Sequence, residues 1–480
     1  MRTFSKFCLL TLSISALALS ACQETRQSQT ASQKRQSAAS AQTGKAKNVI
    51  LFIGDGMGIS TITAARIFDG QSKGMSGEDN KLSFEEFPNV SLVKTYNLDA
   101  QVPDSAGTAS AMNTGLKTQI GKISVQPDAL FAMCENGEGT PPTLMADLAE
   151  RAGMSTGIVS TARLTHATPA AVYGHAFSRN WESDKDIKDI GKNKGCIDLA
   201  MQLVNYSTGD GLDIALGGGL RSFVPKENGG RRLDSKDLTK VWEAKDDNHI
   251  FAANAEGLRG LKPENKQDVL GLFSNGHMAF ETDRKSEREP SLHEMTEFAI
   301  KNLQARGTGY FLMVEAGRID HAHHNTNAYR ALSETQELAK AVALADKLTN
   351  DADTLILVTA DHSHVFTMAG YPKIGNPILG LVYPAGGADA EHASKAADGL
   401  PYTTLGYQNG AKVRDDTVQT DEMVQNKDYH QQVAVKRDSE THGGEDVALF
   451  AKGPGADEVH GVIDQAEIFG IMVDALGLKK

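Results

Sequence analysis

Apolar residues fall along this chain in short unbroken runs separated by longer stretches of mixed polarity. Val49-Ile50-Leu51-Phe52-Ile53, Phe311-Leu312-Met313-Val314 and Leu355-Ile356-Leu357-Val358 contain no polar alternation. Such runs are typical of strands buried on both faces of a parallel sheet. Strands are expected at 48–53, 156–160, 310–315 and 354–359, with an extended segment at 212–216. Helices are expected at 59–68, 143–151, 198–204, 290–304, 327–349 and 466–476. This alternation predicts an α/β fold: a mostly parallel central sheet with helices on both faces. Two stretches interrupt it. The polar segment 227–248 reads as surface loop, and 369–435, with Gly and Pro early and charges late, reads as an inserted subdomain. Gly217-Gly218-Gly219 lacks the Lys and Ser/Thr of a phosphate loop and reads as a turn.

The polar residues that follow the apolar runs change the picture. The first run leads to Asp55, the second to Glu315, Asp320, His321, His323 and His324, and the third to Asp361 and His362; a further acid–histidine pair is Glu440 and His442. In open α/β sheets chemistry sits beyond the carboxyl ends of the strands. Carboxylates and imidazoles gathered there suit zinc, and oxygen donors alone suit magnesium. Asp320 and His324 share a face if their segment is helical. Five of the fourteen histidines fall between 320 and 364, a grouping hard to assign to packing. Ser105 follows an extended stretch and precedes small helix-forming residues, which allows either a helix cap or a nucleophile at the positive end of a dipole. Thr168-Pro169 alone is an ordinary helix start, and Arg179 alone an ordinary surface arginine.

Six stretches in order resemble the alkaline phosphatase family. They are Ile53-Gly54-Asp55-Gly56-Met57-Gly58, Asp104-Ser105-Ala106-Gly107-Thr108-Ala109, Thr165-His166-Ala167-Thr168-Pro169, Glu315-Ala316-Gly317-Arg318-Ile319-Asp320-His321, Thr359-Ala360-Asp361-His362-Ser363-His364 and Thr441-His442-Gly443-Gly444-Glu445-Asp446. The resemblance spans nearly the whole chain from Lys47. It implies hydrolysis of phosphate monoesters with Ser105 as the phosphorylated nucleophile, Arg179 binding phosphate and Asp104 orienting Arg179. It assigns one zinc to Asp320, His324 and His442, a second to Asp55, Asp361 and His362, and magnesium to Asp55, Glu315 and Thr168. His166 and His321 match positions flanking magnesium in one branch, and Cys134 and Cys196 match a disulfide of that branch. Gly276–Glu281 and Glu289 resemble a region that carries calcium in some relatives; a solvated acidic loop is the alternative. The family also implies a homodimer, with 369–435 as a crown-like contributor, and inhibition by inorganic phosphate. Rivals on the same fold are a phosphodiesterase, a phosphomutase or a sulfatase; the C/S-x-P-x-R setting of a sulfatase is missing around Ser105. A lipid-anchored binding protein with structural metals would leave Ser105 and Arg179 without purpose.

Composition narrows the setting. A formal net charge of −12 argues against a nucleic-acid-binding surface. Arg2 and Lys6 precede an apolar stretch at 7–19 that is short for a membrane span and reads as a signal peptide over 1–21. It ends in Leu19-Ser20-Ala21-Cys22, which resembles a bacterial lipobox in which Cys22 is acylated; a signal cleaved to give a soluble periplasmic protein is the alternative. Residues 22–46 offer almost nothing to bury and read as a flexible tether, leaving 47–480 as the folded domain. Export implies an oxidising compartment, so a Cys134–Cys196 disulfide is expected, with two buried thiols as the alternative.

Overall fold

The computed structural model describes residues 45–128, 134, 141–188, 191–192, 195–386 and 391–479. The expected signal, Cys22 and most of the tether lie outside the described residues. The strands are β1 (Asn48–Gly54), β2 (Asn89–Lys94), β3 (Ser155–Arg163), β4 (Ile214–Gly218), β5 (His249–Ala252), β6 (Asp268–Leu272), β7 (Tyr310–Ala316) and β8 (Thr354–Ala360). The C-terminal part adds β9 (Ser363–His364), β10 (Phe366–Met368), β11 (Leu405–Gly410), β12 (Val433–Lys436), β13 (His442–Gly443), β14 (Val447–Lys452) and β15 (Val462–Asp464). Ten of them form one sheet in the order β15-β2-β14-β8-β1-β7-β3-β4-β6-β5.

From β8 through β5 every pairing is parallel; β14 runs antiparallel to both β8 and β2. The unbroken apolar runs occupy the centre. Every residue of β1, β7 and β8 is buried, and each large apolar side chain so buried contributes roughly 1.5–3 kcal/mol. A charge at Ile50, with strands on both sides, would have no route to solvent. Register places Gly54 opposite both Ala316 and Ala360, so the three central strands end level. Asp55 and Asp361 therefore emerge side by side, and Glu315 sits one residue back on β7.

Helices cover the faces. Helix Leu292–Arg306 begins with a Ser291–Glu294 capping box and ends at Gly307 in the left-handed region. It packs on helix Ala328–Leu348, whose start is capped by Asn327. Helix Ile59–Ser72 packs on the same long helix. Segment 369–435 carries β11 and most of β12, which extend β10 into a three-stranded sheet, and a small separate core of Leu381, Val424 and Tyr429. Among the described residues no helix is long and apolar enough to cross a membrane. Cys134 and Cys196 form a disulfide, with Cα atoms 5.0 Å apart.

Two expectations need correction. Segment 227–248 is not merely surface loop: it contains helix Leu238–Glu243, capped by Asp237, and buries Trp242 and Arg232. Arg232 is accommodated because Asp198 and Asp234 each take two of its N–H groups, at 2.6–3.1 Å. Gly217 and Gly218 continue β4 rather than turn. A side chain at Gly218 would lie 2.4 Å from the Gly276 carbonyl, and the turn begins at Gly219, with φ of 104°.

Candidate active site and metal centre

The strand ends and the loops behind them bring all the catalytic and metal-ligand candidates to one edge of the sheet. Ser105 opens helix Ser105–Thr114, every residue of which is buried. Asp104 caps it: Oδ1 accepts from the Gly107 N–H at 3.1 Å and from Asn97 Nδ2 at 2.9 Å. The other oxygen, Oδ2, accepts from the Gly121 N–H at 2.9 Å and from Arg179 Nη1 at 3.1 Å. One carboxylate thus fixes both the nucleophile candidate and the arginine. Arg179 Nη2 also donates to His166 Nε2 at 3.2 Å.

Ser105 Oγ lies 3.2 Å from His362 Nε2. His362 turns Nδ1 to the Ser363 carbonyl at 3.2 Å, which leaves its Nε2 lone pair turned inward toward Ser105. The same device recurs. His324 Nδ1 faces the Glu440 carbonyl and His442 Nδ1 the Pro103 carbonyl, each at 2.8 Å. Their Nε2 lone pairs therefore point inward, only 3.2 Å apart, and both face Asp320 Oδ1, at 3.2 and 3.4 Å. Two lone pairs aimed at one another beside a carboxylate call for a shared cation, and outer hydrogen bonds that fix the tautomer are how metal-binding imidazoles are held.

The oxygen-rich side makes the same demand. Both carboxylate oxygens of the fully buried Asp55, Oε1 of Glu315 and Oγ1 of Thr168 have no hydrogen-bond partner. Unpaired buried charge costs several kcal/mol, so these donors fit bound cations. Burial pushes Asp55 well above the ordinary carboxylate range, with Asp361, Asp320 and Glu315 adding repulsion. Burial, chiefly, raises Glu315 to about 7 and raises Asp361. Burial would raise Asp320 too, but the His324, His364 and His442 imidazoles outweigh it and hold Asp320 well below its usual value.

Donor atoms converge in overlapping groups: Asp320 with His324, His364 and His442; Asp55 with Asp320 and His362; Asp55 with His166 and Glu315. Asp361 sits beside the second group, Oδ2 3.3 Å from His362 Nε2, while its Oδ1 accepts from the Gly56 and His362 N–H groups. His321 lies with His166, ring centroids 5.4 Å apart. Two residues without an assigned role join the site. His364 bridges Asp320 Oδ1 at 2.9 Å and Glu440 Oε2 at 2.6 Å. Gly56, with φ of 72°, brings the backbone so close to His364 that a Cβ would stand 2.4 Å from its ring. Both His364 and Glu440 stand out in the sequence, the first within the histidine grouping and the second paired with His442, but no role for either was legible there. The region that resembles a calcium site is differently engaged: Glu281 pairs with Arg284 at 2.7 Å and Glu289 accepts from the Ala279 N–H at 2.8 Å. Among the described residues neither belongs to a convergent donor group.

A serine at a buried helix start, an arginine held beside it and a cluster of carboxylates and imidazoles beyond a parallel sheet define a metal-dependent hydrolase. The chain belongs to the alkaline phosphatase family: residues 46–478 match the family model. It is 42% identical over 451 residues to the tissue-nonspecific alkaline phosphatase of Rattus norvegicus, covering 90% of this chain and 84% of that protein. It is 40% identical over 442 residues to an alkaline phosphatase of Gadus morhua, covering 88% and 90%. Among solved structures it resembles the Thermus thermophilus alkaline phosphatase, with a TM-score of 0.66, 25% identity and coverage of 91% and 93%. The fold also matches that of an alkaline phosphatase from the Antarctic bacterium TAB5, with a TM-score of 0.62 at 24% identity, covering 91% and 99%. The chain is accordingly an alkaline-phosphatase-type hydrolase of phosphate monoesters, and metal dependence comes with the family.

Proposed function

We propose that this enzyme hydrolyses a broad range of phosphate monoesters through a phosphoserine on Ser105. Asp320, His324 and His442 would hold one zinc ion, Asp55, Asp361 and His362 a second, and Asp55, Glu315 and Thr168 a magnesium ion. Bound there, such ions would lower the pKa of the attacking oxygens and offset the charge of the transferred group. Ser105 Oγ gives up its proton and attacks phosphorus in line. The bond to the alcohol oxygen breaks, and the alcohol leaves with a proton. Water then attacks the phosphoserine from the opposite side, the bond to Oγ breaks, and Ser105 regains its proton as inorganic phosphate departs. Two in-line displacements give net retention. Arg179 clamps two non-bridging oxygens with its planar fork, and Asp104 keeps that fork aimed.

The observation that carries this reading is Asp104 itself, which positions the start of the Ser105 helix and the Arg179 guanidinium together. The test compares a chromogenic phosphomonoester with its diester at mildly alkaline pH, with metal content measured on the same sample. Efficient monoester hydrolysis in protein holding zinc and magnesium is expected; preference for the diester would favour the phosphodiesterase reading. The same proposal includes product inhibition by phosphate, a homodimer to which 369–435 contributes, and export to the bacterial envelope with an acyl anchor at Cys22.

A further inference from the structure

Three histidines from separate parts of the chain meet beside the oxygen-rich donors. His166 precedes helix Ala167–Tyr173, His277 lies beyond β6, and His321 is in helix Arg318–His324. The His277 and His321 ring centroids are 3.9 Å apart, and His166 lies 5.1 and 5.4 Å from them. One ring nitrogen from each falls within 4.8 Å of the other two. Nδ1 of His166 and Nδ1 of His321 are buried with no hydrogen-bond partner, an arrangement that packing alone leaves costly. Arg163 meets His277 at both ring nitrogens: its backbone N–H donates to Nδ1 at 3.3 Å, and its Nη1 abuts Nε2, the side a metal would claim by displacing it, while Glu182 holds Nε and Nη2 of the guanidinium at 2.7 Å each.

We propose that His166, His277 and His321 form an additional transition-metal site that takes a divalent ion such as nickel, copper or zinc. Three imidazoles without a carboxylate select borderline ions and reject magnesium and calcium. Metal–nitrogen distances of 2.0–2.1 Å set the nitrogens roughly 3.4 Å apart in a tetrahedron, inside the 4.8 Å within which they already lie. An open position for water remains.

Occupancy has a consequence for the neighbouring arginine. A neutral imidazole carries one N–H. His166 Nε2 accepts from Arg179, so its proton sits on Nδ1. Coordination through Nδ1 moves the proton to Nε2, and the bond from Arg179 is lost. Resting on the role given to Arg179 above, excess nickel should therefore raise KM for a phosphomonoester several-fold.

The test uses full-length protein loaded with two equivalents of zinc and one of magnesium, freed of excess metal and then equilibrated with Ni²⁺. Wild type should retain one more equivalent of nickel than His277→Ala or His277→Gln, and both variants should lose the nickel-dependent rise in KM. With one equivalent of Cu²⁺, the wild-type paramagnetic resonance spectrum should show nitrogen ligation that the variants lack. Equal nickel content and identical copper spectra in wild type and variants would overturn the site. Anomalous scattering from a nickel-soaked wild-type crystal needs no variant: a peak between the three rings is expected, and a peak elsewhere only would also overturn it. Metal counting reads this site whether or not monoesters prove to be the substrate.

Discussion

Asp104 couples two residues whose roles separate on mutation. Ser105→Ala removes the group that would carry phosphate but leaves the metal donors in place, so metal content should persist while most activity is lost. Acid quenching of the wild-type enzyme during turnover should trap phosphate on Ser105; phosphate found on another side chain would overturn the assignment. On the proposed role, Arg179→Ala would remove a bidentate clamp whose charge-assisted hydrogen bonds contribute about 1.5–3 kcal/mol each. Monoester kcat/KM should fall by roughly two to four orders of magnitude, with a much smaller loss on diesters and weaker inhibition by phosphate. Lys should rescue poorly, since it lacks the fork. Equal losses on both substrates would show that Arg179 does not set the preference. Ser105, Asp55, Asp320, Asp361 and His362 were legible because each stands just beyond an apolar run or beside small helix-forming residues. Arg179 was legible only through the family resemblance, because its partner Asp104 lies 75 positions away.

Elements that depend on distant pairing were harder to read. β9 and β13 are two residues each, and their pairing sets His442 opposite His364. No periodicity announces so short a strand, yet it carries His442 to Asp320. The glycine-rich, polar look of 227–248 concealed a buried ion cluster, because burial there depends on Asp198, outside the segment. Arg232 is fully enclosed and Asp198 nearly so. Arg232→Ala should cost about 3–5 kcal/mol, because it strands a buried carboxylate. Asp198 also caps helix Leu199–Val204, so the companion change must keep an acceptor there. Arg232→Met with Asp198→Asn should recover much of the loss in denaturant unfolding. A double variant no better than Arg232→Ala would show that the stranded charge is not the cause. The start of helix Ser105–Thr114 offers a test of positioning. A side chain at Gly107 would lie 2.4 Å from Asn97 Oδ1, and Asn97 in turn bonds Asp104. Gly107→Ala should cost about 1–3 kcal/mol by overpacking and lower kcat more than it lowers the melting temperature would suggest. An unchanged kcat in a destabilised variant would separate packing from catalysis here.

On the scale of the whole molecule, the sheet gathers buried carboxylates whose unpaired charge bound cations would offset. The parallel arrangement was legible from the apolar runs, whereas the electrostatic cost was not, since it needs the distances between Asp55, Glu315, Asp361 and Asp320. Chelation should abolish activity, and zinc with magnesium should restore it; full activity after verified removal of metal would exclude this site. Stability should follow. A ligand at a thousand times its Kd adds about 4 kcal/mol for one site, so the metal-loaded protein should melt well above the chelated one. The gap should depend on pH, with a sign set by the carboxylates. In the chelated protein Glu315 titrates near 7 rather than at its ordinary 4.5, and Asp55 and Asp361 are raised as well. The folded state then holds protons that the unfolded chain has released. Folding is favoured by those protons at low pH, and the advantage is lost as pH rises through about 7. Asp320, held low by its imidazoles, loses its stabilisation only at more acidic pH. Bound cations reverse the trend, because ligands must be deprotonated to bind them. The difference in melting temperature between loaded and chelated protein should therefore widen steadily from pH 5 to pH 8. A difference that stays constant over that range would mean that the buried carboxylates are not what the metals stabilise.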